Sequence, residues 1–183
     1  MTQPCMRRAR CFALKHWGPR DRLRLLRLLA DCVRLHGWGL AMTLLAWVTL
    51  AMLALAPGRD HTALAGAIAS AVEKEGCFVT GANCERRTAA LMVSVAFRES
   101  TFRLEAVGDQ GRSVCSFQIL GGSRDLLTDA TACALEGHRR LKASLQACRG
   151  SIAMYAAGRC DSARGKSIDA DRKRLALRIL EGR

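Results

Sequence analysis

A glutamate lies where the apolar face of a helix is expected. Met92 and Val95 precede Glu99 by seven and four residues, and Phe102 follows it by three. This spacing places all four side chains on one face of a helix. Burial of an ionised carboxylate is unfavourable unless the group is paired with a cation or takes up a proton. The pattern therefore indicates either a structural salt bridge or a carboxyl group that is used in chemistry.

Cleavage of a glycosidic bond is one reaction that needs such a group, because a general acid must protonate the leaving oxygen. An apolar setting favours the protonated carboxyl, so Glu99 is a candidate general acid that then acts as a base. The structural alternative is an ion pair with Arg98 or Arg103. A glycosidase with two carboxylates would need a second acid. Glu105 and Asp109 are the nearest in sequence, and both are expected on an exposed loop.

An apolar segment without charged residues covers positions 37–57. About 20 such residues cross a bilayer as a helix, so the segment predicts a transmembrane anchor. Residues 1–36 carry nine Lys or Arg and two Asp, which places the N-terminus in the cytoplasm and residues 58–183 outside the inner membrane. The alternatives are a cleaved signal peptide, suggested by Ala54-Leu55-Ala56, and a buried helix of a soluble core.

The basic residues ahead of this segment lie partly in a helical pattern. From Asp21 to Leu35, leucines recur at helical spacing with arginines between them. Such a basic amphipathic helix suits an anionic membrane surface or a nucleic acid. Because this helix lies directly before an expected membrane span, we interpret its positive charge as a determinant of membrane topology, and we expect no nucleic-acid partner.

The cysteines divide along the same boundary, with three before the apolar segment and six after it. An even number in the part that would be exported predicts disulfides. The candidates are Cys77, Cys84, Cys115, Cys133, Cys148 and Cys160. The shortest loops would pair the first two and the last two and leave the middle two to each other, but the connectivity stays open. Zinc is the competing interpretation, although the six show no CxxC spacing and only His138 lies near them.

The part of the chain after the apolar segment is expected to be mostly helical. Ala, Leu and Arg are abundant and prolines are few, which favours helices. The expected helices cover residues 62–75, 85–100, 124–147, 151–157 and 169–180. Residues 104–116 are rich in turn-forming types and predict a loop or a small hairpin. The expected fold is a small α-rich domain with a cleft where that loop folds back.

Three stretches of this domain follow one another in an order that is seen in a known family. They read FRESTF at 97–102, AVGDQGRSVCSFQI at 106–119 and IAMYAAG at 152–158. Together they resemble the lytic transglycosylases of the soluble-lytic-transglycosylase type, lysozyme-like enzymes that cut peptidoglycan. That family has a catalytic Glu followed by Ser and an aromatic residue, a Gly-rich loop before a Gln, and a Tyr-x-Ala-Gly motif.

The resemblance covers about residues 63–180 and has departures. No Pro follows Phe102, Cys115 stands where Gly is usual, and Ala156 replaces a common Asn. These departures concern the shape of the loop and the finer contacts with substrate.

The resemblance implies a lysozyme-like fold and an enzyme that cleaves the β-1,4 bond between N-acetylmuramic acid and N-acetylglucosamine. Glu99 would be the single acid and base, the acetamido group of the sugar would assist, and 1,6-anhydro products would form. Ser100, Gln118 and Tyr155 would contact or position the glycan. No metal or organic cofactor is implied.

Two further interpretations stay open beside the transglycosylase. One is a hydrolytic lysozyme on the same fold, which adds water instead of forming the anhydro ring. The other is a non-catalytic protein that binds peptidoglycan, as a scaffold of an envelope-spanning complex or of a phage particle.

Overall fold

The computed structural model describes residues 42–182 of the chain. This part is mostly α-helical and carries a small three-stranded sheet, so the predicted class, mostly α with a small hairpin lobe, is confirmed. The six α-helices of the described range are α1 Leu44–Leu55, α2 Thr62–Glu75, α3 Cys84–Ser100, α4 Ala130–Ala147, α5 Ala153–Ala157 and α6 Ala163–Glu181.

The apolar segment that was expected to span a bilayer is described only from residue 42 onward, and the basic residues 1–36 lie outside the described range. Its described part forms α1, a helix of twelve residues. Val48 and Met52, one turn apart, are fully buried, and α1 packs against α2 and α3. No helix within residues 42–182 has the length and apolar character needed to cross a membrane, so nothing there supports the anchor predicted at 37–57.

Helix α3 lies at the centre of the packing. It contacts α1, α2 and α6, and its six consecutive residues 91–96 are all buried, as expected for a helix surrounded by others. Helix α2 is rich in alanine, and α4 packs along it. The apolar interior therefore fixes α3 firmly, and the end of α3 carries Glu99.

Two helix boundaries differ from the sequence prediction because of capping side chains. Helix α6 begins at Ala163 rather than at 169, since the hydroxyl of Ser162 accepts a hydrogen bond from the Gly165 amide at 3.2 Å. Helix α4 begins only at Ala130, where Asp129 provides the cap. Residues 124–127, expected in that helix, form a 3-10 turn.

The turn-rich stretch 104–116 forms two of the three strands of the sheet, and the third strand follows it. The strands are β1 Val107–Gly108, β2 Ser113–Val114 and β3 Ile119–Leu120. They are antiparallel in the order β1-β2-β3, with Val107 opposite Val114 and Val114 opposite Ile119. This sheet is the hairpin lobe that the sequence predicted.

The six cysteines of the domain form three disulfides. Cys77 bonds to Cys84, Cys115 to Cys133, and Cys148 to Cys160. This connectivity is the one that the shortest loops favoured. The second bond crosses from the sheet region to α4, and it bears directly on the candidate site.

Candidate functional site

A four-residue turn between β2 and β3, residues 115–118, is the centre of the candidate site, and we call it the site turn. The amide of Gln118 donates to the carbonyl of Cys115 at 3.0 Å and closes the turn. Cys115 and Gln118 have φ of 62° and 48°, a left-handed conformation that is uncommon outside glycine. Contacts from the rest of the domain must therefore hold the turn in this shape.

Helix α4 supplies two of these contacts. The Cys115–Cys133 disulfide joins the turn covalently to the helix. The ring of Phe117 is fully buried and lies over Gly137, where an added Cβ would come within 2.7 Å of the ring. Gly137 is thus the residue that allows the turn and α4 to approach so closely.

The other two motifs reach the same turn with hydroxyl groups. Ser100, at the end of α3, is buried and directs its hydroxyl to the carbonyl of Ser116 at 3.0 Å and to that of Ala96 at 3.1 Å. Tyr155, on α5, donates its hydroxyl to the carbonyl of Phe117. The three stretches that the sequence singled out therefore meet at the site turn.

Glu99 precedes Ser100 on α3 and faces α6. Its Oε1 accepts a hydrogen bond from Nη2 of Arg172 at 3.0 Å, and the two side chains are 24% and 13% exposed. The hydroxyl of Ser94 donates to the backbone carbonyl of Arg172 at 2.7 Å. The backbone at Arg172 is thereby fastened to α3, one turn before Glu99.

The ion pair extends to four charged residues. Nη1 of Arg172 contacts Asp171 at 2.8 Å, and Asp171 also accepts from Arg98 at 3.1 Å. Glu99 is therefore one of two carboxylates that share the Arg172 guanidinium. Arg172 is held tightly, since its side chain contacts both.

The environment of Glu99 thus differs from the prediction in two respects. Met92 and Val95 are buried as expected, but α3 ends at Ser100 and Thr101 is left-handed, so Phe102 is not on the helical face. Phe102 packs instead against His61 and Phe97. In place of Phe102, Glu99 has Arg172 of α6 as its neighbour.

The ion pair of Glu99 involves neither of the two arginines that the structural alternative named. Arg98 pairs with Asp171, and Arg103 donates to the carbonyl of Ser100. Arg172 lies 73 positions from Glu99 and belongs to a run of charged residues that resembles any exposed helix in sequence. No local pattern marks it, so only the packing of α6 on α3 reveals the pair.

Tyr155 stands in the electric field of the same groups. Burial is the main reason that the pKa of Tyr155 is raised well above its usual value, and the charge of Glu99 raises it further. The cationic side chains of Arg172 and Arg140 act in the opposite direction. Tyr155 therefore stays protonated and serves as a hydrogen-bond donor near Glu99.

Gln118 is used mainly inside the protein. Its side-chain amide donates to the carbonyls of Ala106 at 3.2 Å and Cys115 at 3.1 Å. Gly108 makes room for it, because a Cβ there would lie 2.1 Å from Oε1 of Gln118. Gln118 thus links the site turn to the β1 edge, and it also borders a cleft.

That cleft lies between β3, α4 and α5 and has a volume of about 250 Å³. Its walls are mostly apolar, with Tyr155 and Gln118 on the side of the site turn. The lining residues are Gln118, Ile119, Leu120, Arg140, Ala143, Met154, Tyr155 and Gly158. Tyr155 thus relates the cleft to the ionic network, because it lines the cleft and the charge of Glu99 raises its pKa.

The nearest acids in sequence lie apart from these contacts. Glu105 is exposed, and the carboxylate of Asp109 accepts a hydrogen bond from Ser113 in the sheet. Within the described range, the carboxylate linked to Glu99 by direct contacts is Asp171, through Arg172.

A comparison of the chain with protein-family models, curated proteins and solved structures found no match. What the site can do therefore follows from its residues. It consists of a partly exposed carboxylate near the end of α3, a protonated tyrosine on α5 and a small apolar cleft next to the site turn. These parts suit a proton transfer next to a bound ligand.

Proposed function

We propose that the chain is a peptidoglycan lytic transglycosylase whose residues 58–183 form a lysozyme-like domain. The observation that carries the proposal is the meeting of the three motif stretches at the site turn. Ser100 and Tyr155 both bond to this turn, and Glu99 lies beside Ser100. Three stretches that are distant in the chain thus come together at one turn, and they are the three stretches on which the family resemblance rests.

In the proposed reaction, Glu99 protonates the glycosidic oxygen and the bond from that oxygen to C1 of the muramic acid breaks. The acetamido oxygen of the same sugar shares the positive charge at C1. The Glu99 carboxylate then takes the proton of the 6-hydroxyl, and the oxygen of that hydroxyl bonds to C1. The 1,6-anhydro product forms without added water, and Glu99 regains its proton.

The four-charge network gives Arg172 a place in this cycle. When Glu99 carries a proton it no longer needs a cation, and the guanidinium keeps Asp171 as its partner at 2.8 Å. The cation is therefore not left unpaired in a site where a lone charge is costly. When Glu99 acts as a base, Arg172 is in place to stabilise the carboxylate.

Tyr155, Ser100 and Gln118 act on the turn in this account. Their contacts to the carbonyls of Phe117, Ser116 and Ala106 keep the turn in its left-handed shape. They are positioning residues, and Tyr155 and Gln118 also border the cleft that would hold the glycan.

The proposed setting is the space outside the inner membrane. Three disulfides in the described range fit an oxidising compartment. Peptidoglycan strands are the proposed partner, and the membrane anchor predicted at 37–57 remains part of the proposal.

A second function is favoured by one observation. The Glu99–Arg172 ion pair is what a structural glutamate would make, and a protein that only binds peptidoglycan needs nothing more from Glu99. Such a scaffold would keep the cleft and the site turn but release no glycan. A hydrolytic lysozyme would use the same groups and differ only in the attacking oxygen.

The products of peptidoglycan digestion test these alternatives. The full chain, with its disulfides formed, is incubated with purified peptidoglycan, and the soluble fragments are identified by mass spectrometry. The proposal predicts fragments one water lighter than those made by a hydrolytic lysozyme. Fragments with ordinary reducing ends would assign the hydrolase, and a folded chain that releases nothing would leave the scaffold. Parallel digestion with Glu99→Gln removes any contribution from contaminating enzymes.

A further inference from the structure

The cleft next to Tyr155 contains one cation among apolar groups. Of the lining residues within the described range, Arg140 alone carries a charge. The other walls include Leu120, Ala143 and Met154. Leu120 is 59% exposed, so its side chain is not part of the core. A ligand that fits this cleft has an apolar face and an anionic group.

Some N–H donors of the Arg140 guanidinium have no hydrogen-bond partner in the described part of the chain. Its Nε donates to Glu136 at 2.7 Å, and its Nη1 is 3.5 Å from the carbonyl of Leu120. A guanidinium has five N–H donors, so those on Nη2 have no partner within residues 42–182. These donors lie on a side chain that is 48% exposed and can receive a planar anion.

The existing partner of Arg140 does not prevent this. The contact with Glu136 joins residues four apart on α4 and is open to solvent on both sides. Exposed pairs of this kind contribute little to stability. A carboxylate bound in the cleft, next to apolar walls, makes a stronger charge-assisted pair than one in free solvent.

We propose that Arg140 binds a carboxylate of the glycan in this cleft and so makes the chain select carboxylate-bearing strands. The inference rests on the proposed function, since it takes the ligand to be peptidoglycan. The apolar walls would receive the C–H face of a sugar ring. In this polymer, the carboxylate belongs either to a peptide stem or to the lactyl ether of a muramic acid whose stem has been removed.

Binding measurements on three sets of soluble oligosaccharides separate these possibilities. One set keeps its peptide stems, one has lost them and exposes the lactyl carboxylate, and one has that carboxylate reduced to an alcohol. Affinities of the full chain are measured by calorimetry, a readout that does not require turnover. The variants are Arg140→Gln and, as the matched control, Arg139→Gln.

Arg139 is a suitable control because it is the adjacent residue of the same type on α4. It pairs with Glu75 of α2 and is not among the cleft residues. Equal thermal midpoints of the two variants would show that the two substitutions affect stability to the same extent.

We expect Arg140→Gln to weaken binding of carboxylate-bearing oligosaccharides about tenfold to a hundredfold and to leave the reduced set within twofold. Arg139→Gln should change none of them. A loss confined to the stem-bearing or to the stem-free set identifies which carboxylate is bound.

An equal loss on all three sets, no loss on any set, or no binding by the wild type would overturn the inference. Failure of the proposed function alone is a separate result, because it shows as binding of these oligosaccharides without release of anhydro products, whereas absence of binding overturns both proposals.

Discussion

The two sides of the site turn differ in how their charges are satisfied. On the ionic side, Arg172 pairs with Glu99 and Asp171, and Asp171 also pairs with Arg98. On the cleft side, between β3, α4 and α5, Arg140 is half exposed among apolar groups, and a volume of about 250 Å³ is open.

In the proposed glycan-cleaving site, this difference would separate two tasks. The ionic side positions a carboxylate and pairs the neighbouring cation, while the cleft side can admit a ligand. Tyr155 connects the two sides, since it borders the cleft and the charge of Glu99 raises its pKa. We expect the site turn to couple the two sides, so that a change on one side alters the other.

The largest effect on stability is expected from removal of the disulfide that holds the turn. Cys115→Ser with Cys133→Ser should lower the free energy of unfolding by about 3 kcal/mol, because the bond closes a long loop in the unfolded chain. Urea denaturation of the oxidised protein measures it. The matched control, Cys77→Ser with Cys84→Ser, opens a loop of only seven positions and should cost about 2 kcal/mol.

The coupling predicts a second difference between these two variants. Glycan binding in the cleft should weaken when the Cys115–Cys133 bond is lost and should persist when the Cys77–Cys84 bond is lost. Equal binding by both variants, each tested under conditions in which it is folded, would show that the disulfide does not support the site.

The next effect concerns the ionic side. Arg172→Gln should lower the free energy of unfolding by about 2 kcal/mol, because it leaves Glu99 without its cation in a partly buried position. Chemical denaturation near neutral pH is the measurement. Arg174→Gln is the control, since Arg174 is largely exposed and only approaches Asp171 at 4.0 Å. Equal stability of the two variants would mean that the network is not a structural unit.

A smaller loss is expected at the residue that joins both sides. Tyr155→Phe removes the hydrogen bond to the carbonyl of Phe117 while keeping the ring, and should cost about 1 kcal/mol. Proton exchange of the amides at 117–119 should accelerate in the variant. Unchanged exchange there would argue against a role for Tyr155 in holding the turn.

The smallest effect is a dependence on pH outside the site. Burial lowers the pKa of His138 from its usual 6.5, and the nearby Lys142 and Arg139 lower it further, while the hydrogen bond to Gly76 and the charge of Glu75 oppose this. The folded state thus holds His138 neutral, whereas the unfolded chain takes up a proton near pH 6.5. The stabilisation is present above that pH and decreases as the pH falls below it.

His138→Gln retains a donor for the Gly76 carbonyl but cannot titrate. The variant should lose less stability than the wild type between pH 7 and pH 5, as measured by thermal midpoints at each pH. An identical pH profile for the two proteins would contradict the assignment. Since His138 lies against Gly76 and Phe78, this change leaves the cleft and ionic sides alone.

The sequence predicted much of the scaffold because its signals are local. The Ala-rich pattern of 62–75, ended by Gly76, matches α2, and the turn-forming residues of 104–116 form part of the sheet. The start of α6 was missed because Ser162 caps a segment whose composition favours no particular structure. In the described part of the apolar segment, Val48 and Met52 are buried among other helices, a packing that the composition of the segment does not reveal.

The site itself was predictable only in part. Glu99, Ser100, Gln118 and Tyr155 lie at or beside one turn, as their motif order indicated. Arg172, by contrast, comes from the packing of α6, which no periodicity reveals. Whether Glu99 faces apolar groups or a cation depends on that packing, and this is why its surroundings could not be derived from α3 alone.

The most direct test of the account compares cleavage and binding by Glu99→Gln in one folded sample. We expect its affinity for peptidoglycan oligosaccharides to stay within about threefold of the wild type, while the rate of glycan release falls at least about a hundredfold. Glu105→Gln, a change at an exposed carboxylate of the neighbouring loop, should keep both. Wild-type release rates in Glu99→Gln would contradict the central claim that this carboxyl group transfers the proton.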